Sequence, residues 1–258
     1  MTDLRITTIQ TQLHWENPSA NRNKFDTKLK SLAGQTDLVI LPEMFTTGFS
    51  MKAATLSESM TGETIQWLAN HARGLGAVVT GSLIIQENGK YYNRLIWMRP
   101  DASFEIYDKR HLFTMADEHL TYTAGTKRLI TEWCGWRVCP LVCYDLRFPV
   151  WARNADEYDV LIYTANWPTM RAYAWRTLLH ARAIENQVYT IGVNRVGKDG
   201  NDFPYSGDTM IIEPSGAEIL YHKTEVEDVH TTTISYEHLQ KVRKKLPFLA
   251  DRDDFMVK

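Results

Sequence analysis

The sequence predicts an α/β fold in which two mixed β-sheets stack face to face and carry helices on their outer sides, a four-layer αββα sandwich. Short, continuously apolar runs of strand length alternate with segments of helical period, the pattern of sheets covered by helices. Turn signals join several of these runs as hairpins, so antiparallel pairs mix with parallel ones. The strand-and-helix rhythm fills two successive halves, and no Pro/Gly/Ser-rich linker, charge block or low-complexity tract divides them.

Leu4 to Gln10 reads as the first strand. Asn17-Pro18-Ser19 supplies helix-start chemistry for Ala20 to Ala33, where Phe25, Leu29 and Leu32 recur at helical spacing. Leu38 to Leu41 is a fully apolar second strand. The unit then repeats: Gly62 to Arg73 puts Ile65, Leu68, Ala69 and Ala72 on one helical face, and the strand Ala77 to Ile85 follows. Tyr91 to Met98 and Phe104 to Asp108 flank Arg99-Pro100-Asp101-Ala102, the turn of an antiparallel hairpin. The second half runs through a strand at Trp136 to Cys143, a helix near Val150 to Ala155, a strand at Val160 to Ala165, a long helix at Arg171 to Gln187 and a strand at Val188 to Asn194. Thr209 to Glu213 and Glu218 to Tyr221 flank the turn Pro214-Ser215-Gly216-Ala217, and Val229 to Ile234 precedes the basic helix Tyr236 to Lys245. Pro140 lacks an N–H and implies an edge position or a bulge in its strand.

The 258 residues form one domain on this reading: residues 1–235 make its body, and 236–258 add a C-terminal helix and tail. Apolar residues make up 44% of the chain, with eight Trp and twelve Tyr, enough for an extensive core. Basic and acidic residues nearly balance at a net charge of −2 with no basic stripe, which argues against a nucleic-acid or anionic-membrane partner. No apolar run approaches the ~20 residues of a membrane span, and the first residues lack a basic-then-apolar leader, so a soluble cytoplasmic protein is expected. Cys134, Cys139 and Cys143 are too few and odd for a disulfide scaffold, and their spacing is not that of a zinc site. Cys134 and Cys139 read as core residues.

Cys143 differs from them. It closes the apolar run Val138 to Val142 where a strand gives way to a turn, Glu43 follows the apolar Leu38 to Pro42, and Lys109 ends Phe104 to Asp108. Three reactive side chains thus leave three strand ends. A thiol attacks only as thiolate, and a glutamate of reference pKa ~4.3 faces a thiol about four units higher, an uphill transfer of roughly 6 kcal/mol in water. A dry pocket raises a carboxylate and an adjacent ammonium lowers a thiol, so the three groups are expected to narrow that gap together. The ammonium would also face the oxyanion formed when sulfur attacks a carbonyl, with the Tyr144 backbone N–H as a second donor. The chemistry is amide hydrolysis through a thioester, and it calls for no metal, nucleotide or organic cofactor.

At these residues the chain resembles the nitrilase superfamily, the carbon–nitrogen hydrolases, in its Glu, Lys, Cys order. Leu41-Pro42-Glu43, Tyr107 to Phe113, Val142 to Pro149, Asn166-Trp167-Pro168 and His180 to Gln187 all look like family motifs, spread from about Leu4 to beyond Tyr221. The resemblance implies Cys143 as nucleophile, Glu43 as general base and acid, and Lys109 as oxyanion cation. It maps the family's second glutamate onto Glu118, because Glu118-His119-Leu120 leads into Tyr122-Thr123-Ala124-Gly125. Within the superfamily the compact form and the Asn-Trp-Pro look like the ω-amidases, which hydrolyse the terminal amide of small dicarboxylic acid monoamides such as 2-oxoglutaramate or succinamate. A carbamoylase, a nitrilase or a deaminated-glutathione amidase would share the mechanism. A homodimer formed through helices near Arg171 to Gln187 is also implied.

Phe45, Phe49, Phe113 and Trp167 are candidate pocket walls, Asn166 a further contact, and Arg147 or Arg171 could hold a substrate carboxylate. Arg147 could equally pair with Asp145. His111 and His180 raise a rival in which Cys143 works with a histidine. An interaction module that keeps the fold without catalysis is the reading of another class.

Overall fold

In the computed structural model, residues 2–155 and 157–254 are described; residues 255–258 of the expected tail lie outside them. The first half contributes β1 (Leu4–Gln10), α1 (Pro18–Leu29), β2 (Leu38–Ile40), α2 (Ala53–Leu56), α3 (Glu63–Leu75), β3 (Val78–Glu87), β4 (Lys90–Met98), β5 (Phe104–Asp108) and α4 (Glu118–Thr121). The second half adds β6 (Thr131–Trp133), β7 (Trp136–Val142), α5 (Pro149–Ala152), β8 (Val160–Ala165), α6 (Ala172–Asn186) and β9 (Tyr189–Asn194). After these come β10 (Val196–Lys198), β11 (Pro204–Ser206), β12 (Met210–Ile212), β13 (Glu218–Tyr221), β14 (Asp228–Ile234) and α7 (Tyr236–Lys245).

Two six-stranded mixed sheets result, ordered β14-β1-β2-β3-β4-β5 and β13-β12-β9-β8-β7-β6, with β10 and β11 as a separate hairpin. The expected last strand does not extend the second sheet. It crosses back to pair antiparallel with β1, Leu4 opposite Ile234, and so ties the two halves together.

Strand alternation explains the layers. Leu4, Ile6, Leu38, Ile40 and Trp97 of one sheet pack against Trp136, Val138, Val160, Ile162 and Ile191 of the other in one buried cluster. Val39, Leu41 and Val79 face outward onto Phe25, Leu29, Leu68 and Ala72 of α1 and α3. Leu141, Leu161 and Tyr163 face outward onto Trp175, Leu179 and Ala183 of α6. Both faces of each central strand are therefore covered, which is why these strands read as continuous apolar runs.

Local chemistry sets the helix ends. The Asn17 side chain accepts the Ala20 N–H at 3.1 Å with Pro18 in the first turn of α1, and Gly76, in the left-handed region at φ 65°, stops α3. α1 ends earlier than its apolar spacing suggested, yet Leu32 still enters the core from the following turn.

Some expectations need correction. The helix near Val150 to Ala155 is a single turn, Pro149–Ala152. Cys134 lies exposed in the turn between β6 and β7, whereas Cys139 is buried. Ile184, whose spacing groups it with Trp175, Leu179 and Ala183 on the packing face of α6, is instead 48% exposed and lies against Gly216 in the β12–β13 turn. Pro140, by contrast, takes the expected edge position: it pairs in unbroken register with Ile162, and β6 reaches only Val138, so no strand pairs with the proline's other flank.

Candidate active site

The strands β2, β5, β7 and β8 deliver their C-terminal ends to one place, where loops leave a parallel arrangement and side chains converge. Glu43 lies three residues beyond β2, Lys109 and Cys143 directly follow β5 and β7, and Asn166 directly follows β8. Two backbones there are strained: Cys143 has φ 46° and Met44, next to Glu43, has φ 42°, the left-handed region that L side chains avoid. The Met44 N–H is held by the Ser82 hydroxyl at 2.9 Å.

The Lys109 ammonium donates to Glu43 Oε1 at 2.9 Å and to Glu118 Oε1 and Oε2 at 3.0 and 2.9 Å. Glu43 Oε2 accepts the Asn166 backbone N–H at 2.9 Å, and the Asn166 side-chain amide donates to the Glu43 carbonyl at 2.6 Å. Glu118 also accepts the Phe113 N–H. Cys143 Sγ lies 3.9 Å from the Asn166 carbonyl and feels the charges of both Glu43 and Lys109. Glu43, Lys109 and Glu118 are all buried.

Burial pushes the Cys143 thiol well above its ordinary range, and the Glu43 charge pushes it further; Lys109 opposes both without prevailing. The ammonium does lower the thiol as expected, but burial and the Glu43 charge together outweigh it. Burial alone would lower the Lys109 ammonium, but the charges of Glu118 and Glu43 hold it above its usual value. Burial raises Glu118, Lys109 pulls it back, and Glu43 raises it again. The resting site therefore holds a neutral thiol beside a carboxylate–ammonium–carboxylate bridge.

A cavity of about 590 Å³ opens onto Cys143 and Lys109. Phe49, Phe113, Tyr144, Asn166 and Trp167 line it, as expected from the sequence, whereas Phe45 packs in the core beside Phe25 and Trp67. Arg147 and Arg171 also line it. The Arg147 guanidinium lies 4.9 Å from the Trp167 ring centroid and that of Arg171 lies 5.2 Å from Phe113. Neither has an acidic partner among the described residues, although Glu16 and Asp199 share the lining. Glu16 is engaged by Lys52 and Ser50, and Asp199 by Tyr205 and two backbone N–H groups.

Arg147 does not pair with Asp145, whose buried carboxylate instead accepts from Tyr107 Oη at 2.7 Å, from the Val142 N–H, and from the His111 N–H, with His111 Nδ1 at 2.8 Å. His111 stacks on Phe148, and His180 reaches Gly216 and Glu218; neither lines the cavity. Sequence reasoning missed Asn93, whose amide donates to Glu43 and Glu118, although a polar residue inside an apolar strand was a visible cue. It also missed the wall formed by Trp15, Asn201, Phe203 and Tyr205, which fold in from distant loops. Among the described residues no group of three His, Cys, Asp or Glu could hold a metal ion, and no helix is long and apolar enough to cross a membrane.

Residues 5–244 match the carbon-nitrogen hydrolase family. The chain is 45% identical over 260 residues to "Omega-amidase YafV" of Escherichia coli K12, covering 99% of each. It is 32% identical over 251 residues to "2-oxoglutaramate amidase" of Bacillus subtilis 168, covering 95% of this chain and 96% of that one. The crystal structure of XC1258 from Xanthomonas campestris, a CN-hydrolase superfamily protein with an arsenic adduct in its active site, superposes with a TM-score of 0.98 over 100% of both chains at 47% identity.

Proposed function

The chain belongs to the carbon–nitrogen hydrolase family, enzymes acting on non-peptide C–N bonds, and on that premise we propose that it is an ω-amidase. It hydrolyses the terminal amide of a short dicarboxylic acid monoamide, with Cys143 as nucleophile, Glu43 as general base and acid, Lys109 as oxyanion cation and Glu118 as the group that orients Lys109 and the substrate amide. The observation that carries this reading is the buried carboxylate–ammonium–carboxylate bridge beside Cys143, at the end of a cavity that also presents two guanidinium groups with no acidic partner among the described residues. The full-length likeness to proteins named for ω-amidase and 2-oxoglutaramate amidase activity supports the substrate class.

The chemistry follows from the charges. A neutral thiol transfers its proton to Glu43 as sulfur attacks the amide carbon, so the thiolate never has to exist alone in a dry site. Protonation of Glu43 leaves Lys109 less strongly held on that side, and its attraction passes to the new oxyanion, which the Tyr144 backbone N–H also meets. Glu43 then returns the proton to the departing nitrogen, ammonia leaves, and a thioester remains. A water activated by Glu43 attacks that thioester through a second oxyanion and releases the acid. Arg147, stacked on Trp167, and Arg171, stacked on Phe113, meet the carboxylate at the other end of the substrate.

The reading includes a cytoplasmic homodimer. Tyr173 and Ile184 on α6 are exposed, and eleven residues apart they lie within about 20° of one another around the helix. With Thr177 and His180 between them, they give α6 an outward face that is apolar at its two ends.

Ammonia release from 2-oxoglutaramate, succinamate, a nitrile and a ureido acid tests the substrate class. The monoamides are expected to turn over at least 100-fold faster, and Arg147→Ala is expected to raise KM for them. Preference for the nitrile or the ureido acid would overturn the ω-amidase assignment while leaving the nucleophile in place.

A further inference from the structure

We propose that Asn93 is a positioning residue of this site, which fixes Oε2 of Glu43 as the oxygen that takes the proton from Cys143. The inference rests on Glu43 being the base.

Asn93 sits inside β4, opposite Ile84 of β3, and its side chain is fully buried among apolar strand neighbours such as Leu95 and Ile96. Its Nδ2 donates to Glu43 Oε1 at 2.8 Å and to Glu118 Oε1 at 3.3 Å, and its backbone carbonyl accepts the Lys109 N–H at 3.0 Å. One residue thus touches both carboxylates and the backbone of the lysine between them. Among the described residues its buried Oδ1 has no hydrogen-bond partner. The amide is turned so that its nitrogen meets two carboxylates. The reversed amide would set its oxygen against both of them.

The consequence lies in the lone pairs. Each carboxylate oxygen accepts about two hydrogen bonds in the carboxyl plane. Glu43 Oε1 already receives two, from Lys109 and Asn93, whereas Oε2 receives one protein N–H, from Asn166. Oε1 is therefore saturated, and Oε2 keeps a lone pair for the thiol proton. Two carboxylates and one ammonium also leave the site with an excess negative charge. An amide supplies two donors without adding charge, where an aspartate would add repulsion and a lysine would compete with Lys109.

The test compares wild type, Asn93→Ala and Asn93→Ser on 2-oxoglutaramate and succinamate across pH, with Glu43→Gln run alongside. Rates are expressed per folded enzyme, counted from the amplitude of the cooperative thermal unfolding transition. For Asn93→Ala, kcat is expected to fall about 10- to 100-fold, the effect of losing a hydrogen bond to a charged group, while KM changes little. A donated N–H favours the ionised carboxylate, so its loss should move the acid limb of the pH–kcat profile upward. Asn93→Ser keeps one donor and should recover part of both effects. It also carries the readout if the alanine variant does not fold. Unchanged pH profiles, with rates lost only in proportion to folded enzyme, would remove the assignment of Asn93. A Glu43→Gln variant with wild-type kcat would instead remove the base itself.

Discussion

At Lys109 a single buried ammonium bridges two buried carboxylates, and the bridge makes the side chain structural as well as chemical. Lys109→Met should remove activity and, by leaving Glu43 and Glu118 unpaired, destabilise the protein by about 3–5 kcal/mol, read from urea midpoints. Adding Glu118→Gln to that variant should restore part of the stability and none of the turnover. Equal midpoints for the single and double variants would contradict the coupling. Glu43, Lys109 and Cys143 were legible in the sequence because each stands where a strand-like run must stop. The state of the thiol was not, since it depends on burial and on the charge of Glu43 in the folded site. Arg147 was recognised as a cavity cation, but its freedom from Asp145 depended on Tyr107, His111 and Val142 occupying that carboxylate first.

Between elements, two glycines permit contacts on which the site depends. A Cβ on Gly125 would lie 2.0 Å from the Asp108 carbonyl, directly before Lys109, and the Gly125 N–H bonds the Lys109 carbonyl at 2.9 Å. Gly125→Ala should therefore displace the end of β5, costing about 1–3 kcal/mol as overpacking does, and lower kcat more than that loss of folded protein explains. Thermal unfolding together with steady-state rates would show it; unchanged kcat would mean that β5 yields without moving the ammonium. A Cβ on Gly200, in the β10–β11 hairpin, would lie 2.2 Å from Trp15, another wall of the cavity. Gly200→Ala should loosen that wall and raise KM while kcat is largely kept, and the reverse pattern would exclude the hairpin from substrate binding. The long central strands and α3 and α6 were readable because hydrophobic period and buried face coincide. The hairpin was not, because three-residue strands carry no period. β6 was missed for the same reason, and it was β6 stopping at Val138 that accommodated Pro140.

Across the whole molecule, β14 returns the chain to β1, and Glu227, just before that strand, accepts from Lys24 and Lys28 of α1 and from the Gln12 N–H. Burial raises this carboxylate, but those donors outweigh it and bring it from 4.5 down to about 2. A folded-state value below the unfolded one contributes stability that is present above pH 4.5 and disappears as pH falls toward 2. Glu227→Gln should consequently lower the urea midpoint at pH 7, with the difference from wild type shrinking across that window; a constant difference would assign the effect to packing. Tyr173 and Ile184, exposed on one side of α6, lead to an equally direct expectation: wild type should sediment as a dimer and Tyr173→Glu as a monomer, whereas a monomeric wild type would leave that side without an interface role. Stacking of the two sheets was legible from two successive halves of strands and helices, while the crossing of β14 into the first sheet was not, because pairing partners so far apart leave no local trace. The account as a whole stands on a covalent bond at one sulfur. Intact-protein mass spectrometry of enzyme acid-quenched during turnover of 2-oxoglutaramate should show an adduct of the acyl fragment, mapped to Cys143 and absent from Cys143→Ala, which should release no ammonia; undiminished ammonia release by Cys143→Ala would contradict it.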